Sequence, residues 1–331
     1  MKKGVKIALI SVGGFFVALG VFLVIWFCGA SYPHFDEIAR EEFTIPGMDE
    51  KGVPQGLTAL PENEEGYDFA MSCYMADDSP SRIYLIDADT DTSKYITVTK
   101  NGKADTSHFG GVACSENYLM ATSGKNILRI SLSDALSAEN GERIEITDSF
   151  NTGLRASFCY YDSGKLYAGE FYDKGKYDTP EEHHVTVANG EVNHGFVYVF
   201  DCDEEAEGGV VDAIPDQIIS IRDKVQGFAI YEDGIVLSTS YGLTDSRIFC
   251  YPNVLKEEAD DTFTLDGEEI PFYVLDTDNL RKEIVGPSMS EEPCVKDGRL
   301  YLVFESKCVK YKYFNRVRME NAISIALEDL D

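Results

Sequence analysis

The feature that most constrains this chain is a unit that recurs along most of its length. Five segments run an apolar strand, a tight turn and a second apolar strand in succession: "QGLTALPENEEGYDFAMSCY" from Gln55, "GGVACSENYLMATSG" from Gly110, "RASFCYYDSGKLYAGEFY" from Arg155, "QGFAIYEDGIVLSTSYG" from Gln226 and "SEEPCVKDGRLYLVFES" from Ser290. Turns such as Asp-Gly and Ser-Gly suit short antiparallel connections, where one residue needs a positive φ. A third strand follows each hairpin, at Ser81–Asp87, Asn126–Leu132, Gly195–Asp201, Ser246–Pro252 and Asn321–Leu327. All five alternate with period two and are rich in β-branched or aromatic residues, as half-buried strands are.

Fourth strands are expected at Lys94–Thr99, Arg143–Thr147, Ile218–Ile221 and Phe272–Leu275. The fifth unit ends the chain without one, and "EFTI", Glu42–Ile45, stands just before the first unit as its missing partner. Such an exchange closes a ring and covers an exposed sheet edge. The predicted fold is all-β: a β-propeller over residues 42–331, with five four-stranded blades closed by an N-terminal strand. Six blades and a β-sandwich are the competing arrangements, and a sandwich leaves the fourfold rhythm within each unit without a cause.

The N-terminus is of another kind. Lys2, Lys3 and Lys6 precede Ile7–Cys28, an uncharged run of 22 residues. That length spans a hydrocarbon core of roughly 30 Å as a helix. Basic residues before it and the acidic "HFDEIAREE" after it predict residues 1–6 as a cytoplasmic tail, residues 7–28 as a single transmembrane anchor, residues 29–41 as a linker and an extracytoplasmic propeller in the cell membrane. A cleaved signal peptide and a lipidated Cys28 are the rival readings, and both also send the remainder outside the cytoplasm.

The chain carries 58 acidic against 29 basic residues, a formal net charge of −29, and every acid lies beyond the apolar run. That field repels nucleic acid. Seven cysteines follow the anchor, an odd number with no CxxC pair, and so suggest neither a disulfide framework nor a zinc site. Cys114, Cys159 and Cys294 align with Ile230 in the repeat, which reads as free core cysteine.

Within the repeat, Gln55-Gly56-Leu57, Ser72, Tyr74 and Ser81–Tyr84, echoed by Gln226-Gly227-Phe228, Ser240, Tyr241 and Ser246–Phe249, resemble the opening of the glutamine cyclotransferases. That resemblance implies a five-bladed propeller converting N-terminal glutamine to pyroglutamate. The family's Glu-Ser-Thr-Gly step is replaced here by "MSCYM" and "LSTSYG", and the only tryptophan, Trp26, lies in the apolar run. "FES", Phe304–Ser306, is a similar Glu-Ser step displaced to the last blade.

First strands line a propeller's channel, so residues entering them are candidate binding groups: Gln55, His108, Arg155, Gln226 and Ser290, with Glu291 and Glu292 beside them. Glu170, Glu291 and Glu305 are the candidate catalytic carboxyls, able to act as acid and base or to hold a hard cation such as calcium. The alternative is that they only satisfy neighbouring polar groups.

His183, His184 and His194 lie in the longest insertion, residues 173–195, at a spacing that fits no standard zinc site; a solvated flap over one channel mouth is expected. "DADTDTS", Asp87–Ser93, lacks the glycine and glutamate of a helical calcium loop and reads as a turn. No metal or cofactor is indicated. Function narrows to three readings: recognition of a peptide, glycan or envelope partner at the channel mouth; a hydrolase or cyclotransferase using the channel carboxyls; or a structural part of a membrane complex.

Overall fold

The computed structural model describes residues 30–331 together with Gly20, so the expected anchor, residues 7–28, lies outside the described residues apart from that glycine. Among the described residues no helix is long and apolar enough to cross a membrane.

Five inner strands, Gly52–Ala59, Phe109–Cys114, Ala156–Asp162, Val225–Tyr231 and Cys294–Lys296, pack each against the next, and the last returns to the first. Each opens an antiparallel meander that runs outward, giving a five-bladed β-propeller. The ring closes as expected: Ala39–Thr44 pairs antiparallel with Asn321–Ala326, Ala39 opposite Ile325 and Thr44 opposite Asn321. This strand takes in the last three residues of the expected linker, after a short helix at Pro33–Ile38. Phe43 anchors it, fully buried with its ring 5.1 Å from that of Phe69. Asp91 clamps its end by accepting from the backbone N–H and the hydroxyl of Thr44, at 2.8 and 2.9 Å. The Asp-rich stretch is thus a turn, in which Asp87 accepts from the amide and hydroxyl of Thr90.

Two expected outer strands belong to other blades. Arg143–Glu145 lies parallel to Thr97–Thr99 on the edge of blade one, and Ile218–Ser220 of blade three pairs parallel with Phe272–Val274. The true outer strands of blades two and four are Asp148–Asn151 and Lys282–Gly286. In both cases the connection between third and fourth strands reaches back to cover the preceding blade's edge. Period-two alternation reports that a segment is a strand and says nothing of which edge it joins. Asp148–Asn151, four mostly polar residues, also carries little strand signal of its own.

The spaces between blades are filled by large side chains. Tyr167 stacks on Phe228 with centroids 5.0 Å apart, between blades three and four. Each such burial contributes about 1.5–3 kcal/mol. All seven described cysteines are free thiols, and burial pushes each above its ordinary pKa, Cys308 to about 11 and Cys73 to about 12. Only Cys114 shares the hairpin position of Ile230: Cys159 faces Ala168 and Cys294 faces Tyr301, each further from its hairpin turn.

Candidate active site: an amide-lined carboxyl cavity

The Gln-Gly steps explain how the axis is built. Where the inner strand of blade one meets its second strand, Gln55 and Gly56 together stand opposite Ser72; in blade two Gly110 and Gly111 stand opposite Thr122; in blade four Gln226 is the extra residue. These are β-bulges, which re-aim side chains and backbone amides. Second-strand hydroxyls hold them: Ser72 accepts from the Gly56 amide at 2.8 Å and donates to the Gly110 carbonyl at 2.6 Å, and Thr122 accepts from the Gly111 amide at 2.8 Å.

The glycines make room for Glu292. A Cβ on Gly56 or Gly111 would collide with its carboxyl oxygens, and one on Gly227 with its backbone. Glu292 is wholly buried, and its two oxygens accept from the amides of Val112 and Cys159, each at 2.8 Å. Burial pushes its carboxyl well above the usual range, opposed by those two amides. One side chain from blade five thus stitches the inner strands of blades two and three together.

Where the inner strands begin, a cavity of about 1060 Å³ opens, lined by Gln55, His108, Arg155, Gln226, Glu170, Glu291 and Glu305 among others. Seven of the nine candidate residues therefore converge, Glu292 being buried between the inner strands. Ser290 also lies outside the lining, its amide donating to the Ser246 hydroxyl at 3.0 Å and its own hydroxyl paired with Ser238 at 2.8 Å.

Glu291 and Glu305 form the chemical centre. The Gln226 amide donates to Glu291 at 3.2 Å, and the Gln55 amide donates to Glu305 at 3.3 Å. Burial drives both carboxyls upward, Glu291 far above its ordinary value and further raised by the charge of Glu305; Glu305 reaches about 8 against the opposing pull of Lys310 and Gln55. Two like charges so close cannot both form cheaply, so the pair keeps at least one proton at neutral pH. Met289, at the cavity wall just before this pair, holds φ at 67°, a left-handed conformation rare outside glycine and typical of strained functional sites. Its carbonyl accepts from the Glu305 amide at 3.0 Å.

Around the pair stand His108, expected from the sequence, and groups that the sequence pattern passed over. His108 donates from Nε2 to Gln55 Oε1 at 2.6 Å and stacks on Tyr74 with centroids 4.0 Å apart. Although its ring touches the cavity's solvent, enclosure by the walls, then Lys310 and Arg155, holds its pKa below the usual histidine range. Lys310 donates to the Tyr74 hydroxyl at 2.7 Å, and that hydroxyl meets Tyr311's at 3.3 Å. Tyr311 and Lys310 sit in the blade-five loop, which has no repeat counterpart, so periodicity could not expose them; Tyr74 was visible only through the family resemblance.

Glu170 behaves otherwise. It is 3% exposed, and its Oε2 bonds His183 Nδ1 at 2.8 Å and accepts from the Phe196 amide at 3.1 Å. His183 is itself buried and stacked on Phe196, so the expected solvated flap is partly a piece of the blade-three core. His194 pairs with Asp223 at 2.7 Å and stacks on Tyr172, and His184 contacts Thr179 at 3.2 Å. Among the described residues no cluster of His, Cys, Asp or Glu is arranged to hold a metal ion. Ser306 of the displaced Glu-Ser step is buried and accepts from the Met319 amide at 3.0 Å, a structural duty.

Fold and site define a five-bladed β-propeller with a carboxyl pair buried among glutamine amides at one end of its axis. No family model matches the sequence, and no curated protein does. Among solved structures, the chain is similar to the glutaminyl cyclase of Myxococcus xanthus at 9% identity and a TM-score of 0.44, covering 87% of this chain and 97% of that one. It is also similar to a tail fiber of Staphylococcus aureus phage P68, at 10% identity and 0.41, covering 94% and 56%, and to Kluyveromyces lactis Hsv2, at 12% and 0.33, covering 77% and 60%. The five-bladed architecture that the Gln-Gly-Leu resemblance implies is seen in the chain's own sheets; none of these likenesses bears on the chemistry of the cavity.

Proposed function

We propose that the cavity is the active site of an acyl-transfer enzyme working on amine and amide nitrogen, the chemistry of a cyclotransferase or amide hydrolase. The observation that carries this is the buried Glu291–Glu305 pair facing the cavity, with Glu305 held at about 8. A carboxyl raised this far by burial can both hold and release a proton near neutral pH, the condition for efficient general acid–base catalysis.

In the cyclising case the substrate's α-amine attacks the carbon of its own terminal carboxamide. A C–N bond forms to that carbon, and the bond to the amide nitrogen breaks. The pair's ionised carboxylate takes the amine's proton while its acid member protonates the leaving nitrogen, which departs as ammonia. The pair ends as it began, holding one proton.

Recognition of a peptide, glycan or envelope partner uses the same cavity and is favoured by Tyr74, Tyr177, Tyr241 and Tyr311, which line it. Tethering through residues 7–28, with the propeller outside the cytoplasm, rests on the sequence alone, as does a scaffold role in a membrane complex.

The test is ammonia release from a panel of N-terminal glutaminyl peptides and simple amides by the full-length chain. Turnover that follows a single ionisation near pH 8 supports the proposal; no release from any member of the panel overturns it.

A further inference from the structure

Three cations on the cavity wall lack a carboxylate partner. Arg155, Lys125 and Lys176 all line the cavity, and among the described residues none of them makes an ion pair. In a chain with 58 acids to 29 bases, that is a conspicuous place to leave positive charge unmatched. Of the acids nearby, Asp173 pairs with Lys224 at 3.5 Å, and Asp178, which also lines the cavity, accepts from the Gly175 amide at 2.8 Å.

Aromatic rings hold two of these cations in place. The Arg155 guanidinium lies 5.5 Å from the Tyr177 ring centre, and Lys176 Nζ lies 5.1 Å from the centres of both Tyr177 and Tyr241 while donating to the Tyr241 hydroxyl at 2.7 Å. Lys224 continues the row, 5.4 Å from Tyr241. Cation–π contacts fix such heads without cancelling their charge. They leave the donors free for an anion, and a guanidinium fork binds a carboxylate in two places.

We propose that Arg155, Lys125 and Lys176 form an anion subsite, so that the substrate is a short peptide bearing a carboxylate beyond its reacting end. This rests on the acyl-transfer reading only for the placement of the amine at Glu291 and Glu305. The cavity's volume of about 1060 Å³ admits a di- or tripeptide spanning both ends.

The experiment measures equilibrium binding to the full-length chain carrying Glu305→Gln, in which turnover is blocked. Two probes are compared by calorimetry at low salt: Gln-Gly-Glu and Gln-Gly-Lys-amide. The acidic peptide is expected to bind at least tenfold tighter, roughly 1.4 kcal/mol. Adding Lys125→Gln, Arg155→Gln and Lys176→Gln should bring the ratio close to one at unchanged melting temperature, with Arg155→Gln alone as the control should the triple variant fold poorly. Equal affinities, no binding of either peptide, or a ratio indifferent to the substitutions overturns the subsite.

Wild-type turnover measured alongside separates the two proposals. Ammonia release without charge preference sinks the subsite and leaves the enzyme; charge-selective binding without ammonia release does the reverse.

Discussion

Glu170 and Glu305 occupy matching places, each at the end of a second strand beside the same cavity, and they have opposite fates. Glu170 meets an imidazole and a backbone amide, His183 Nδ1 at 2.8 Å and Phe196 N at 3.1 Å, and is locked into blade three. Glu305 meets the neutral amide of Gln55, so burial outweighs the pull of that amide and of Lys310, and its proton is retained to about 8; its charge in turn raises Glu291. A carboxyl's position in the repeat places it near the axis; the partner supplied by another blade decides whether it becomes structure or chemistry.

The largest expected effect separates the two by activity. Glu305→Gln should lower turnover by about 10²–10⁴-fold, the usual worth of a general acid or base, while its melting temperature at pH 6 stays near wild type. Glu170→Gln should retain turnover within a fewfold. Equal losses from both would erase the distinction.

Stability should divide them the other way. His183→Ala leaves Glu170 buried with a single amide donor and should cost about 1–3 kcal/mol, read from urea unfolding. It follows that cutting out residues 173–194 removes core as well as flap, and such a deletion should unfold rather than merely disarm the cavity. A comparable loss of about 1–3 kcal/mol is expected for Gly227→Ala, whose Cβ would meet the backbone of Glu292, an atom with nowhere to go.

The smallest effect is in pH dependence. The folded-state pKa of Glu305 lies above its unfolded value, so the folded state binds the extra proton between roughly 4.5 and 8. Its favourable contribution is complete below that window and is lost as pH rises through it. Wild type should therefore lose melting temperature from pH 5 to pH 8.5 by more than Glu305→Gln does. Parallel curves for the two would mean that the pair is not holding its proton.

Much of this molecule was legible locally. Hairpins, third strands and the closing strand near Glu42 could be read because alternation and turn chemistry are properties of neighbouring residues. The first-strand candidates were legible for the same reason: a propeller brings the starts of its inner strands to one mouth, so Gln55, His108, Arg155 and Gln226 converge wherever blades are correctly counted. Arg143–Glu145 and Phe272–Val274 were recognisable as strands yet not assignable to a blade, since both edges offer the same unpaired backbone groups.

What the sequence by itself determined is therefore the blade: its strands, its turns and the Gln-Gly step that opens the inner strand. Tertiary structure alone decided what that step serves. Gln55 meets Glu305 across 250 residues, and Glu292 reaches the Val112 amide across 180, filling the space that Gly56, Gly111 and Gly227 leave open. Such contacts arise only when the ring closes. Burial, which sets both the proton affinity of a carboxyl and the steric need for a glycine, is a property of the assembled axis and of no segment within it.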